Sequence, residues 1–211
     1  MKFLALILSV LPCCLLAQIG TNTTIDTTEP SVLSKLYEVD SMTFGNAGSV
    51  KLQEGWKRFN NEHVSNVDFP KNWKIVENFM ETVFLIKEPI IEEENGDVFA
   101  ENVNLVREFA QSSKSDDANF SLNNYVEEKI VEHRNYFEDF DIIEHKDGLY
   151  RNDRAVILLF TGKASNIEFK IKQCFFLLNE HVYIFSFTAQ TDQFDNYLPI
   201  ATDIYKSLKV N

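Results

Sequence analysis

The order of segments after Asp68 constrains the fold of this chain more than any single motif does. Strand-like runs come first, one amphipathic helical run follows, four more strand-like runs come next, and a second amphipathic segment ends near Val210. Strands that follow closely and are joined by tight turns pair antiparallel. Helices beside such a series pack on the faces of the sheet. The order therefore predicts an α+β domain, but it specifies no reaction.

Eight segments have the alternating or β-branched pattern of strands. They are residues 56–59, 63–69, 82–87, 102–109, 141–144, 154–161, 167–178 and 181–189. Turns are predicted at Asn60-Asn61, Asp147-Gly148, residues 162–166 and Asn179-Glu180. The last two strands are apolar on both sides over part of their length, which indicates that both faces of the sheet are covered.

Two helices complete the pattern. Residues 121–137 carry apolar side chains at three- and four-residue spacing, with Ser121 as the N-cap. The second helix is predicted to start near Asn196, because Pro199 lacks an N–H and suits a first turn; residues 192–195 would form a separate turn. Together these segments predict an α/β/α sandwich with a central, mostly antiparallel sheet and helices on both faces. Trp73 is expected to pack on the closing helix near Ile204 and Leu208.

The start of the chain has the features of an export signal. Lys2 precedes an apolar stretch of residues 3–16, and Ala17 precedes Gln18. We therefore expect a signal peptide over residues 1–17, a Thr/Asn-rich leader and partly ordered arm over 18–55, and the folded domain over 56–211. The protein is then periplasmic or extracellular. Two alternatives stay open: an anchor that is retained, and a lipid anchor on Cys13 or Cys14, which Pro12 disfavours.

Composition narrows the classes of partner. Lys and Arg number 20 against 32 Asp and Glu, giving a net charge of −12. Such a chain is repelled by nucleic acid and by anionic lipid, so no nucleic-acid partner is expected, and the acidity would serve solubility or a basic partner. A protein partner is expected if the protein acts by binding. Cys174 is the only cysteine outside the signal and has the pattern of a small buried apolar residue. After signal cleavage we expect no membrane-spanning segment.

No segment has the spacing of a catalytic, cofactor or metal site. The histidines are His63, His133, His145 and His181, and none forms a pair at metal-ligand spacing. His133 is expected to be partly buried on its helix, while His63 and His181 are expected to be exposed. Acidic clusters at 92–94, 116–117 and 138–141 are interpreted as solvated loops, with weak divalent-cation binding as the alternative. We therefore predict no catalytic residue and no cofactor.

The domain resembles the PsbP-like superfamily, which includes the photosystem II extrinsic subunit PsbP, a Ran-binding nuclear protein (Mog) and bacterial exported DcrB-like proteins. The matching positions are Phe69, Pro70 and Trp73, residues 102–105, Ser121, Leu122 and Tyr125, residues 183–189, and residues 205–209. The resemblance implies an α/β/α sandwich without a common active site. It does not imply photosystem docking, because the chain has a Thr-rich arm and no segment like the docking segment.

Three functions remain in contention. The first is a non-catalytic exported protein that acts by binding, as an accessory or assembly factor of an envelope complex. The second is a carrier of a small apolar ligand in a cavity between sheet and helix. The third is an enzyme of unrecognised type, which would require two or more of His133, His145, Asp139 and Cys174 to converge in one cleft.

Overall fold

The computed structural model describes residues 52–77, 79, 82–89, 99–110 and 120–211. The expected signal, most of the leader and the acidic clusters at 92–94 and 116–117 lie outside this part of the chain. The described residues form ten strands and two helices. The strands are β1 (Trp56–Phe59), β2 (Val64–Pro70), β3 (Lys74–Glu77), β4 (Thr82–Lys87), β5 (Asn102–Phe109), β6 (Glu138–Tyr150), β7 (Asp153–Ala164), β8 (Ile167–Leu178), β9 (His181–Gln190) and β10 (Lys209–Val210). The helices are α1 (Leu122–Tyr136) and α2 (Phe194–Ser207).

The described strands form two sheets, and the pairings within them are antiparallel. Seven strands form the larger sheet in the order β3-β4-β5-β9-β8-β7-β6, and three form a smaller sheet in the order β1-β2-β10. Short hairpins join β6 to β7, β7 to β8 and β8 to β9, the last at Asn179 and Glu180, whereas β5 pairs with the non-consecutive strand β9. Both of these residues have positive φ, as a two-residue reversal requires.

The two helices cover opposite faces of the larger sheet. Val156 and Phe160 on β7 belong to the core under α1, whereas Ala155 and Ile157 belong to the core under α2 and the smaller sheet. Successive residues of a strand point to opposite faces, so an apolar strand such as β7 supplies both cores. The structure therefore confirms the α+β class and the sandwich with helices on both faces.

Two glycines were predicted in turns but lie inside long strands. A Cβ on Gly148 of β6 would come within 2.7 Å of Ile157, and one on Gly162 of β7 would come within 2.7 Å of Phe137. At Gly162 the close atoms include Cβ of Phe137, which cannot move without its backbone, so glycine is needed there. At Gly148 they are the outer carbons of Ile157, which a change of side-chain rotamer can move. The hairpins instead turn at positive-φ residues, at Arg151 and at Ser165-Asn166. Strand β6 consequently has 13 residues where four were predicted.

The ends of the domain also differ from the predictions. Strands β3 and β10 were not predicted because each is short, with four and two residues. Helix α2 begins at Phe194, two residues before the predicted start, with Pro199 inside it. Phe194 is fully buried against Phe187, with ring centroids 4.9 Å apart. That packing anchors the first turn and outweighs the backbone bond lost at Pro199.

Candidate functional site

The residues that the enzyme hypothesis needed do not meet in one cleft. His133 lies in the α1 core, and Cys174 lies on the opposite face of the sheet. His145 is exposed on β6, 3.6 Å from Glu127, and Asp139 is exposed at the start of the same strand. Within the residues described, no three His, Cys, Asp or Glu side chains are grouped so that they could hold a metal ion.

His133 is a neutral, buried histidine, as its position on the helix predicted. Its Nε2 lies 2.8 Å from Gln173 Oε1, and Gln173 Nε2 donates to Ser186 Oγ at 3.1 Å. Its ring stacks on Phe160 at 4.8 Å. Burial lowers the pKa of His133 to about 4. His63 and His181, expected to be exposed, are instead partly buried. This network links α1 to β8 and β9.

Cys174 is a buried thiol bonded to the closing helix. Its Sγ lies 2.6 Å from Tyr205 Oη, and burial raises the pKa of the thiol to about 12. A thiol that stays protonated is a poor nucleophile. The cavity beside it, between β8, β9 and α2, holds about 20 Å³, which is room for about one water molecule. Ligand pockets measure about 300–1,000 Å³, so this cavity does not favour the apolar-carrier hypothesis.

A carboxylate pair that the sequence did not single out lies near the start of α2. Tyr197 Oη donates to Glu88 Oε1 at 2.7 Å. Burial, with smaller contributions from Glu88 and Asp192, raises the pKa of Glu101. These contacts tie the connection between β4 and β5 to α2. No sequence spacing could have revealed them, because the partners are far apart along the chain.

An exposed surface lies where α1 meets the edge strand β6, and we call it the α1–β6 seam. The contacts across it are Glu127 to His145, at 3.6 Å, and Arg134 over the ring of Phe140, at 5.8 Å. Val131 lies between Glu127 and Arg134 on α1, and Ile143 lies between Phe140 and His145 on β6. Their exposed fractions are 55% and 51%. Each of the two elements that form the seam therefore exposes one large apolar side chain to solvent.

A β-bulge explains why sequence reasoning did not find the seam. The register of β6 against β7 shifts between Ile142 and Glu144. At a bulge, two residues face one on the neighbouring strand, so the regular alternation of faces fails. Ile142 is partly buried against the α1 core, while Ile143 is left exposed. The sequence shows only two adjacent isoleucines, which fit a buried strand as well.

The seam also carries much of the protein's negative charge. From Leu122 to Tyr150, α1 and β6 hold eight Asp and Glu against three Lys and Arg, a net charge of −5. The cluster Glu138-Asp139-Asp141 was predicted in a loop, but it belongs to β6 and is exposed. From Asp153 to Leu178, β7 and β8 hold two acids against four bases, a net charge of +2. The negative charge of α1 and β6 is therefore not shared by the two strands that follow them in the chain.

No family model and no curated protein matches this chain in sequence. Among solved structures, it is similar to cyanobacterial PsbP of Synechocystis, with a TM-score of 0.53 and 12% identity over 79% of this chain and 98% of that one. It is also similar to LpqN of Mycobacterium tuberculosis, a protein involved in cell envelope biogenesis. There the TM-score is 0.51, with 10% identity over 74% of this chain and 90% of that one.

These likenesses concern the arrangement of helices and strands. Identities this low show the fold alone. Neither helix of the described residues is long and apolar enough to cross a membrane. The resemblance identified in the sequence is confirmed at the level of fold: the chain has the fold of the PsbP-like superfamily.

Proposed function

We propose that this protein is a non-catalytic exported protein that acts by binding another protein, as an accessory or assembly factor of an envelope complex. The observation that carries the proposal is the shared fold with LpqN, which is itself involved in cell envelope biogenesis. The fold of cyanobacterial PsbP, covered over 98% of its length, gives the same architecture. A shared fold does not by itself specify a role, but the distribution of polar groups in this protein supports a role in binding.

Several polar side chains in the interior are bonded to one another. His133 bonds to Gln173 and Cys174 to Tyr205. Asp68, buried on β2, accepts two bonds from Arg58, at 2.7 and 2.8 Å. Such pairs stabilise a fold and leave no activated nucleophile or base in a cleft. The groups that a binding partner can reach lie on the surface, and they include the exposed apolar and acidic side chains of the α1–β6 seam.

The proposal is tested by capture of partners in the native envelope. The full chain, tagged at its C-terminus, is cross-linked in its own cells, and captured proteins are quantified by mass spectrometry. The control is an exported protein of similar size and charge with an unrelated fold. We expect envelope proteins that are enriched in every replicate over that control. Capture that is equal for both baits would contradict the proposed function.

A further inference from the structure

Strand β6 forms one edge of the seven-stranded sheet. Within the described residues it pairs with β7 alone, along 13 residues, whereas the other edge, β3, has only four. The outer side of an edge strand presents unpaired N–H and C=O groups, which can pair with a strand from another chain. The length of β6 therefore makes it the more extensive of the two open edges.

Two register shifts interrupt the first half of this edge, from Glu138 to Glu144, whereas the second half is a regular strand. The register shifts between Glu138 and Asp141 and again between Ile142 and Glu144, and such bulges protect an edge from pairing. From Glu144 to Tyr150, however, each residue pairs with the next residue of β7 without interruption. That stretch is as long as an ordinary strand. The regular half begins directly beside Ile143, at the exposed seam.

The side chains around this edge determine which kind of strand from another chain can pair with it. Val131 and Ile143 provide apolar contact at the point where the regular half begins. Helix α1 and β6 carry a net charge of −5, of which −3 lies on Glu138, Asp139 and Asp141 in the adjoining half of β6. An acidic strand would be repelled by this charge and a basic one attracted. The same charge opposes pairing with the β6 edge of a second copy of this chain. The complement is an extended segment that alternates basic and apolar residues.

We infer that the regular half of β6 binds an extended, basic and apolar segment of the protein partner as an additional strand of the sheet, with the apolar side chains of that segment on Val131 and Ile143. This inference rests on the proposed function, because it names the kind of partner and the surface that the partner uses. The main-chain bonds supply affinity, and the seam with its carboxylates supplies specificity.

The probe is a synthetic peptide of alternating lysine and valine, as long as the regular half of β6, with both ends capped. One control peptide replaces lysine by glutamate, and another is N-methylated at alternate amides, so that it cannot complete the strand pairing. Binding is measured by fluorescence anisotropy and by backbone amide shifts of the full chain. We expect saturable binding of the lysine peptide, with shifts confined to β6, α1 and the neighbouring β7.

Variants test the seam itself. The double variant Val131→Lys with Ile143→Lys is expected to weaken binding of the lysine peptide by about tenfold or more. The matched control is Leu52→Lys with Leu177→Lys, which changes two other exposed apolar residues to the same charge and should leave binding unchanged. Equal binding of all three peptides, equal loss in both double variants, amide shifts centred elsewhere, or no binding by any peptide would overturn the inference. The shift map of the parent protein decides the question if a variant unfolds.

Cross-linking in cells separates this inference from the proposed function. A photo-reactive residue is placed at position 143 in one bait and at position 177 in another. Capture through 143 of a basic, extended segment, mapped by mass spectrometry, supports the inference. Capture through 177 alone, or capture through 143 of an acidic segment, overturns the inference and leaves the proposed function standing. Capture at neither position, together with no enrichment in the envelope experiment, overturns both.

Discussion

His133 is kept neutral by its surroundings. It stacks on Phe160 in an apolar core, where Lys129 adds a small unfavourable charge, and its single polar contact is to Gln173. An apolar site disfavours the charged imidazolium, and a neutral amide compensates for little of that cost. The helical spacing predicted a partly buried histidine. The pairing with Gln173, 40 residues along the chain, could not be predicted because it depends on how α1 lies over the sheet.

The first prediction concerns acid stability. The pKa of His133 is about 4 in the fold against 6.5 for an exposed histidine, so the unfolded chain binds more protons between these pH values. The contribution of His133 is complete above pH 6.5 and is lost as the pH falls toward 4, by an amount on the order of 3 kcal/mol. Urea unfolding of His133→Gln should therefore show a smaller loss between pH 6.5 and 4.5 than the parent protein. The control, His145→Gln, changes an exposed histidine; if both variants lose stability as the parent does, the assignment is wrong.

The second prediction concerns Gly162. A Cβ at this position would lie 2.7 Å from both Cβ and Cγ of Phe137, and the root of a side chain cannot move without moving its backbone. Gly162→Ala should therefore destabilise the fold by about 1–3 kcal/mol, although alanine suits a strand better than glycine does. Thermal unfolding measures the change, and Gly162→Ala combined with Phe137→Ala should recover part of the loss relative to Phe137→Ala alone. If the stability changes of the two single variants simply add in the double variant, the clash with Phe137 is not the cause of the loss.

At the scale of elements, the sequence predicts those whose own residues define them. Helix α1 begins where Ser121 accepts a bond from the Asn124 N–H, and Phe120 and Tyr125 lie 6.0 Å apart as its hydrophobic staple. Both bounds of β8 match the prediction. Strand β6 could not be predicted in full, because it is largely polar and Asp147-Gly148 is typical of a turn. Its full length depends on pairing with the long apolar strand β7. Sequence therefore predicts local elements well and an edge strand poorly.

The third prediction concerns the contact between the start of the larger sheet and α2. Trp73 is 2% exposed, belongs to the same core as Ile204 and Leu208, and lies 6.2 Å from the ring of Tyr197. It packs on the closing helix as predicted, with Tyr197 as an additional partner. Trp73→Ala should cost about 3–5 kcal/mol, a large fraction of the stability of a domain, and lower the melting temperature sharply. Lys74→Ala, at an exposed neighbour, serves as the control; equal melting of the two variants would show that Trp73 contributes little to the core.

At the scale of the whole molecule, the described layers leave little room for a ligand between β8, β9 and α2. Helix α1 covers one face of the sheet, while α2 and the smaller sheet cover the other, and the cavity beside Cys174 holds about 20 Å³. The smaller sheet is closed by β10, which follows α2 directly and pairs with β2. If the protein acts by binding, as proposed, its outer surface and its sheet edges are the parts that a partner can reach, which agrees with the inference drawn for β6.

The fourth prediction follows from that closure. A carrier retains its ligand through purification, whereas a cavity with room for about one water molecule cannot hold an acyl chain unless α2 moves away from β8 and β9. That movement would break the bond between Cys174 and Tyr205 and expose the buried Ile204. Native mass spectrometry of the freshly purified protein should therefore give the same mass as denaturing mass spectrometry of the same sample, which serves as the internal control. If the native mass is higher by a few hundred daltons, and this extra mass disappears on denaturation and is recovered as an extractable lipid, the carrier hypothesis is favoured. The functional site would then be the interface between α2 and the sheet instead of the edge of β6.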